Sequence, residues 1–370
     1  MLTLGGVALV VFVFAAVLML ANGLEQTLVE SGGEQSAIVL RRAATSELVS
    51  QIDRDGANVI KTYPEIETMP NGNPVASTET YVVINLTKTE TGDMGNVSVR
   101  GVSPDVRTLR PEVIITSGRM LTFGTDEIIV GSNIAEKFEG CDLGQKIKFG
   151  DAYWTVVGHF DAEGSAFESE IWGDVEQFMP AFGRPVYSSM TFRLKEPSQF
   201  DAIKLKIEKD PRTQYAQVKL EREYYREQSQ LMSDFIKLLG LIVTIIFSLG
   251  AIIGAMITMY AAVANRTVEI GTLRSLGFRR REVLAAFFLE SVLLAIIGGL
   301  AGVALASGMS LVRISTVNWG TFSELAFGFQ LSARIGMYCL LFSFIMGVLG
   351  GFLPALRASR MKITAALRSA

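Results

Sequence analysis

Apolar residues in this chain gather into long runs at its two ends, with an ordinary mixture of polar and apolar positions between. Positions 1–24 carry no charged side chain, and neither does the stretch between Lys237 and Arg266 or that between Arg334 and Arg357. A further run, between Glu282 and Arg313, contains one ionisable residue, Glu290. A helix rises about 1.5 Å per residue, so about 20 apolar residues cross a hydrocarbon core about 30 Å thick. The pattern predicts four transmembrane helices, over 1–24, 233–265, 283–306 and 333–356. The first differs from a secretory signal peptide in lacking a basic leading segment, and its apolar stretch exceeds the usual core of about 7–15 residues. We read it as a retained helix.

Between the first two runs, residues 25–232 read as a folded α+β domain with a stalk. Ser36–Leu40, Tyr81–Leu86, Asn96–Val102, Glu127–Val130, Lys146–Phe149 and Tyr153–Val157 are rich in β-branched or aromatic residues and predict strands, separated by turn residues such as Asn71-Gly72-Asn73-Pro74. Gly150-Asp151 suits a hairpin turn. Ser46–Ile52, Ser132–Phe138 and Ser198–Ile207 predict short helices. Gln214–Phe235 lacks glycine and proline and predicts a helical stalk running into the second span. Asp161–Glu170 reads as a solvated loop, and 307–332 as a short connection between the last two spans.

Charge then sets the orientation. Residues 22–233 hold 22 Lys/Arg against 32 Asp/Glu, whereas the rest of the chain holds 12 against 5. An acidic domain of this kind excludes nucleic-acid binding, which needs a basic face. Short loops rich in Lys and Arg stay in the cytoplasm. The 266–282 connection carries Arg266, Arg274, Arg279, Arg280 and Arg281, and the 357–370 tail carries Arg357, Arg360, Lys362 and Arg368. Both segments, and so both termini, are expected in the cytoplasm, which puts the acidic domain outside.

Catalytic chemistry is sparse. The single histidine, His159, lies in a strand-like segment and reads as a packed or surface residue. Cys141 and Cys339 fall in different regions, so no disulfide is expected, and neither has metal-ligand spacing to a second Cys or His. No G-x-x-x-x-G-K-[ST] phosphate loop occurs, so ATP chemistry is expected on another polypeptide. No catalytic residue, metal site or bound cofactor is assigned to this chain.

The distinctive segment is 266–290. Thr267 is placed to cap a short helix in which Ile270, Leu273 and Leu276 share a face and Gly277 is the stop. Such an amphipathic helix, flanked by arginines, suits a partner's groove or the membrane surface. A buried charge at Glu290 costs about 2.5–3.5 kcal/mol on insertion scales, so it is expected near the cytoplasmic interface or facing a partner.

At these positions the sequence resembles the FtsX/MacB-type permeases, membrane subunits of the mechanotransmission, or type VII, ABC transporters. The resemblance rests on Arg266-x-x-Glu269-Ile270-x-x-Leu273-x-x-Leu276-Gly277 followed by Arg279–Arg281 and Glu290. It extends to Gly350-Gly351-x-x-Pro354-Ala355-x-Arg357-Ala358-x-Arg360, and to Ser117-Gly118-Arg119 and Asp126–Gly131 in the outer domain. One helix, a large outer domain and three further helices also fit. Members usually carry an amphipathic cytoplasmic segment before the first span, whereas this sequence starts at the span.

The resemblance implies a bacterial cytoplasmic-membrane protein that pairs with a second permease, as a homo- or heterodimer, and with an ABC ATPase subunit carrying ATP and Mg. Membrane lipid and a periplasmic adaptor are further implied partners. Glu269, Ile270, Leu273, Arg274, Leu276 and Gly277 become the ATPase-coupling residues, with Arg279, Arg280 and Arg281 as basic contacts and Glu290 as the intramembrane polar group. Three functions fit. They are export or extraction of hydrophobic or amphiphilic cargo, signalling to a periplasmic enzyme or adaptor, and an ATPase-independent anchor. The coupling segment argues against the anchor, and the large outer domain favours export. A membrane-impermeant maleimide on spheroplasts should label cysteines placed at Asn71 or Glu163 and leave one at Ser369 unlabelled; labelling at Ser369 would reverse the topology.

Overall fold

The structure, a computed structural model, describes residues 2–361. Ser369 and the tail beyond Met361 lie outside the described residues. The chain divides into two units, one built from 2–23, 233–312 and 328–361, the other from 24–232 and 313–327.

The first unit is helical. Helix α1 (Leu2–Val29) opens the chain, and α2 to α6 belong to the other unit: Arg54–Lys61, Val106–Leu109, Ser132–Lys137, Val175–Ala181 and Phe200–Lys209. Then follow α7 (Glu221–Asn265), α8 (Thr267–Ser275), α9 (Arg280–Ser307) and α10 (Ala333–Arg360). Among the described residues four helices, α1, α7, α9 and α10, are long and apolar enough to cross a membrane. They pack through small side chains. A methyl group on Gly299 would lie 2.4 Å from Ser343 Oγ, and one on Gly347 would lie 2.6 Å from Ala295 Cβ. Ser291 Oγ donates to Gly347 O at 2.9 Å across the same seam. Ser291, Ala295 and Gly299 on α9 face Ser343, Gly347 and Gly351 on α10, each at four-residue spacing, which lets the two backbones approach.

The second unit is α+β. Its strands are β1 (Ser36–Arg41), β2 (Ala76–Thr87), β3 (Met94–Val102), β4 (Ile114–Gly118), β5 (Glu127–Gly131), β6 (Lys146–Phe149), β7 (Ala152–Asp161), β8 (Glu170–Asp174), β9 (Ser189–Arg193) and β10 (Ala216–Leu220). They run in the order β10-β1-β9-β2-β3-β8-β5-β7-β4, with β6 beside β7. The long β2 joins two halves: Ala76–Glu79 pairs with β9, and Thr80–Thr87 pairs with β3. One half is antiparallel throughout; the other contains the parallel pairs β3–β8 and β5–β7. Alternation on these strands, joined by Phe178 from α5 and Phe167 from the 166–169 turn, buries separate apolar layers, Val97, Val99, Trp154 and Phe178 in one, Val102, Phe160, Phe167 and Trp172 in another. Trp154 stands edge-on to Phe178 with centroids 4.5 Å apart.

The predicted strands fall within β1, β2, β3, β5, β6 and β7, whereas four expectations need correction. Ser46–Ile52 is not an α-helix: it makes only a 3-10 turn over Glu47–Val49, because the Glu47 side chain turns inward to an ion pair and Asp53 caps the next helix from Gly56 N. The stalk helix does not begin at Gln214. Ala216–Leu220 pairs with β1 as an edge strand, burying Ala216 and Val218, and the helix starts at Glu221. Asp161–Glu170 is not a solvated loop, since Glu168 and Glu170 are buried. The 307–332 connection holds a hairpin, β11 (Arg313–Val317) and β12 (Glu324–Gly328).

That hairpin completes the α+β unit. Glu324 pairs with Lys88, Ala326 N donates to Ser169 Oγ at 3.2 Å, Asn96 Nδ2 donates to Phe322 O at 2.8 Å, and Arg313 lies 3.4 Å from Glu168. A fragment of 25–232 therefore lacks part of its fold. Appending 313–327 through a flexible linker should raise its Tm by at least about 2–4 °C, the shift expected per kcal/mol at this size. Equal Tm values would show the hairpin to be dispensable.

Candidate functional site

The α8 segment is shaped by its two ends. Thr267 does not cap the helix: its hydroxyl donates backward to Ala264 O at 2.7 Å, and no side chain caps the start at Arg266. The far end is a Schellman turn. Phe278 N donates to Leu273 O at 3.2 Å and Gly277 N to Arg274 O at 3.3 Å, with Gly277 at φ +102°. Gly277 is the stop, as its position suggests, because a Cβ is disfavoured at that angle. Helix α9 follows at once, and Glu282 accepts from Arg279 N at 2.8 Å to tie its first turn.

The three apolar residues expected on one face divide. Ile270 is 2% exposed and packs with Met259, Val263, Val283, Phe287, Ala355 and Ala358. It anchors α8 to the helical unit and is not presented outward. Leu273 is 42% exposed, Leu276 74% and Phe278 49%, and these form the outward apolar edge. Arg274 turns inward as well: its guanidinium donates to Met361 O at 2.6 Å and Ser359 O at 3.4 Å, capping the C-terminal end of α10, where the helix dipole favours a cation. Glu269 sits exposed in the first turn of α8, and Arg279, Arg280 and Arg281 are exposed. Glu290 has a partner within the chain, Arg266 at 3.1 Å. Among the described residues no three His, Cys, Asp or Glu side chains converge as a metal site. His159 Nε2 lies 2.8 Å from Cys141 O; both cysteines are free, and burial pushes the Cys141 thiol up to about 12.

A second constellation escaped sequence reading. The register of β2, β3 and β8 brings Tyr81 opposite Arg100 and Trp172 beside it, so Glu79, Arg100 and Glu170 converge. Arg100 donates to Glu47 at 2.7 Å, to Glu79 at 2.6 Å and to Glu170 at 2.8 Å. Arg110 donates to Glu221 Oε1 at 2.8 Å and lies 3.3 Å from Glu79. All six side chains are buried. Glu221 opens α7, and its other oxygen accepts from Gly33 N at 3.0 Å, just past α1. Arg110 also donates to Ser31 O at 3.3 Å, and Arg222 Nε donates to Gly32 O at 3.0 Å. Nothing in the sequence marks these residues beyond single charges among strands; only pairing makes them neighbours.

Residues 1–210 match the MacB-like periplasmic core domain family, and residues 241–363 match the FtsX-like permease C-terminal family. The chain belongs to the FtsX/MacB-type ABC transporter permeases. The membrane helices and α+β domain of this permease are those of the family, with the α+β unit as its periplasmic core domain. It is 39% identical over 132 residues to the pyoverdine export ATP-binding/permease protein PvdT of Pseudomonas syringae pv. tomato, covering 36% of this chain and 19% of that protein. It is 25% identical over 296 residues to the macrolide export ATP-binding/permease protein MacB of Bdellovibrio bacteriovorus, covering 74% of this chain and 44% of that protein. The chain thus spans less than half the length of either relative. The extracellular domain of the noncanonic ABC-type transporter YknZ from Gram-positive bacteria aligns with a TM-score of 0.38 at 16% identity, over 50% of this chain and 99% of that domain.

The permease's buried charges titrate in opposite senses. Burial alone would raise the Glu79 carboxyl, but Arg110 and Arg100 together outweigh it and hold it below its ordinary range. Burial raises Glu221, and Arg110 and the Gly33 N–H offset only part of that rise. Stability from Glu79 is therefore present above the unfolded carboxylate pKa, about 4.3, and lost as pH falls through its folded value. Stability from Glu221 is present below the unfolded pKa and lost as pH rises through its folded value. Thermal melts of the full chain across pH should show Glu79→Gln with a shallower acid limb and Glu221→Gln with a shallower decline as pH rises above about 4.3. Arg110→Ala, which leaves buried Glu221 without its guanidinium and Glu79 with Arg100 alone, should cost about 3–5 kcal/mol. Unchanged pH profiles in both glutamine variants would count against this assignment.

Proposed function

We propose that this permease couples ATP hydrolysis to movement of its periplasmic domain, exporting or extracting hydrophobic or amphiphilic cargo such as a lipoprotein, lipid, peptide or drug. Hydrolysis, with its Mg, takes place on a separate ABC ATPase subunit, and this chain is non-catalytic. The working unit is a permease dimer in the bacterial cytoplasmic membrane, with both termini in the cytoplasm.

One observation carries the reading: the apolar edge of Leu273, Leu276 and Phe278 on a short helix that is anchored through Ile270 and Arg274. Ile270 and Arg274 tie α8 to α7, α9 and α10, so force applied to its exposed edge is passed to the bundle with little slack. Helix α7 runs unbroken from Glu221 to Asn265 and supplies a path from that edge to the buried charges of the periplasmic domain. Two relatives are export ATP-binding/permease proteins, which accords with the export part of this reading.

The test is association with the cognate ATPase and turnover of the reconstituted complex. Leu273→Asp or Leu276→Asp buries a carboxylate at the contact, which costs on the order of several kcal/mol unless it is protonated or paired, and should weaken association more than tenfold. Both side chains are exposed in the chain alone, so folding should survive. Arg280→Ala should matter less, since exposed ion pairs contribute about 0–1 kcal/mol. Wild-type association and turnover in the aspartate variants would exclude α8 as the coupling element.

A further inference from the structure

The α+β unit contains a cavity of about 600 Å³ that neither its core nor the coupling helix uses. Four segments wall it: the turn at 43–49 after β1, strand β10 through Gln217 and Lys219, helix α7, and the tip of the β11–β12 hairpin. From α7 come Tyr224, Glu227, Gln228 and Leu231, spaced i, i+3, i+4 and i+7, so one stripe of the helix forms a wall. Trp319 and Phe322 from the hairpin, Val49 from the turn and Leu231 from α7 are all exposed and line the same concavity. The polar groups beside them are engaged with one another: Lys219 with Glu227, and Gln228 Nε2 with Thr45 O. Charge at the rim therefore cancels, and what is offered is apolar surface. The volume falls in the range of small-molecule sites, about 300–1,000 Å³.

Backbone strain marks the same place. Among the described residues three non-glycine positions have positive φ, and two of them, Ala43 at 64° and Phe322 at 59°, line this cavity. L side chains rarely adopt that conformation, and such strain persists only where neighbours enforce it, as at ligand clamps. Phe322 is held by its N–H to Asn318 O at 2.7 Å and by Asn96 Nδ2 to its carbonyl at 2.8 Å. Gly320 seats the tip against α7: a methyl group there would lie 2.1 Å from Gln228 Oε1.

We propose that this cavity binds the apolar tail of a single amphiphile, with Trp319, Phe322, Leu231 and Val49 against the tail and the polar head outside. This deepens the export reading above and rests on it. A bounded concavity with a neutralised rim suits one flexible tail better than a helix or a charged peptide. The tail would touch α7 and the hairpin, whose strands lead into α9 and α10, so occupancy reaches three of the membrane helices through their own chain.

The protein carries its own reporter. Of its three tryptophans, Trp154 and Trp172 are each 1% exposed, whereas Trp319 is 48% exposed. The full chain in nanodiscs of bromine-free saturated phospholipid is titrated with a brominated fatty acid below its micelle concentration, without ATPase or nucleotide. Saturable quenching is expected, abolished by Trp319→Phe and shifted at least tenfold to weaker binding by Leu231→Glu, a change at an exposed position. Quenching that never saturates, or that Leu231→Glu leaves unaltered, overturns the site. In nanodiscs of brominated phospholipid without fatty acid Trp319 should stay bright; quenching there makes the hairpin tip a bilayer anchor and also overturns it. Binding is read without ATPase, so a Leu273→Asp chain that retains it while losing the ATPase separates failure of coupling from failure of the site.

Discussion

Four carboxylates converging on two guanidiniums, out of reach of water, are the interaction on which the α+β unit's geometry depends. Glu47, Glu79, Glu170 and Glu221 share Arg100 and Arg110, and each comes from a different element. A buried charge is tolerable only with its partner in place, and removing one partner leaves the other uncompensated in a low dielectric. The strand pairing of β2, β3 and β8, the inward turn of Glu47 and the start of α7 must therefore be correct together. Phe167 stacks on both guanidiniums, 4.3 Å from Arg110 and 5.4 Å from Arg100, and closes the cluster with an aromatic face. Residues just beyond α1 and at the head of α7 bind into it directly, through Ser31, Gly33 and Glu221.

The helical unit solves a different problem. In lipid, apolar side chains gain nothing by leaving the hydrocarbon, so helices associate where small residues let backbones approach and polar atoms pair. The serines and glycines of α9 and α10 do this, and Thr3 Oγ1 lies 2.6 Å from Thr258 Oγ1 between α1 and α7. Against this close-packed frame α8 is a short lever buried at Ile270 and Gly271 and with an exposed apolar edge. Its inward arginine satisfies carbonyls at the end of α10 that would otherwise lack donors.

The spans, the α+β class and the position of α8 were legible from residues alone. Bilayer thickness sets a length that only charge-free runs can meet, and Gly277 stops a helix by its own backbone freedom. The roles within α8 were only half legible. Ile270, Leu273 and Leu276 are equivalent in a helical repeat, and which of them turns inward is decided by where α9 and α10 lie. Arg274 looked like its basic neighbours until the end of α10 was placed beside it.

What the tertiary structure alone decided was pairing. Ala216–Leu220 has the composition of a helix, and the free edge of β1 made it a strand. A hairpin more than eighty residues further along the chain completes a domain that composition had closed at 232. Glu79, Arg100 and Glu221 are unremarkable charges in sequence, made a network by strand register. Local propensity and hydrophobic period are short-range properties, so the sequence by itself determined which segments cross the membrane and where helices stop. Ion pairs, sheet edges and cavities form between residues far apart in the chain, and their energies exist only once the fold has brought those residues together.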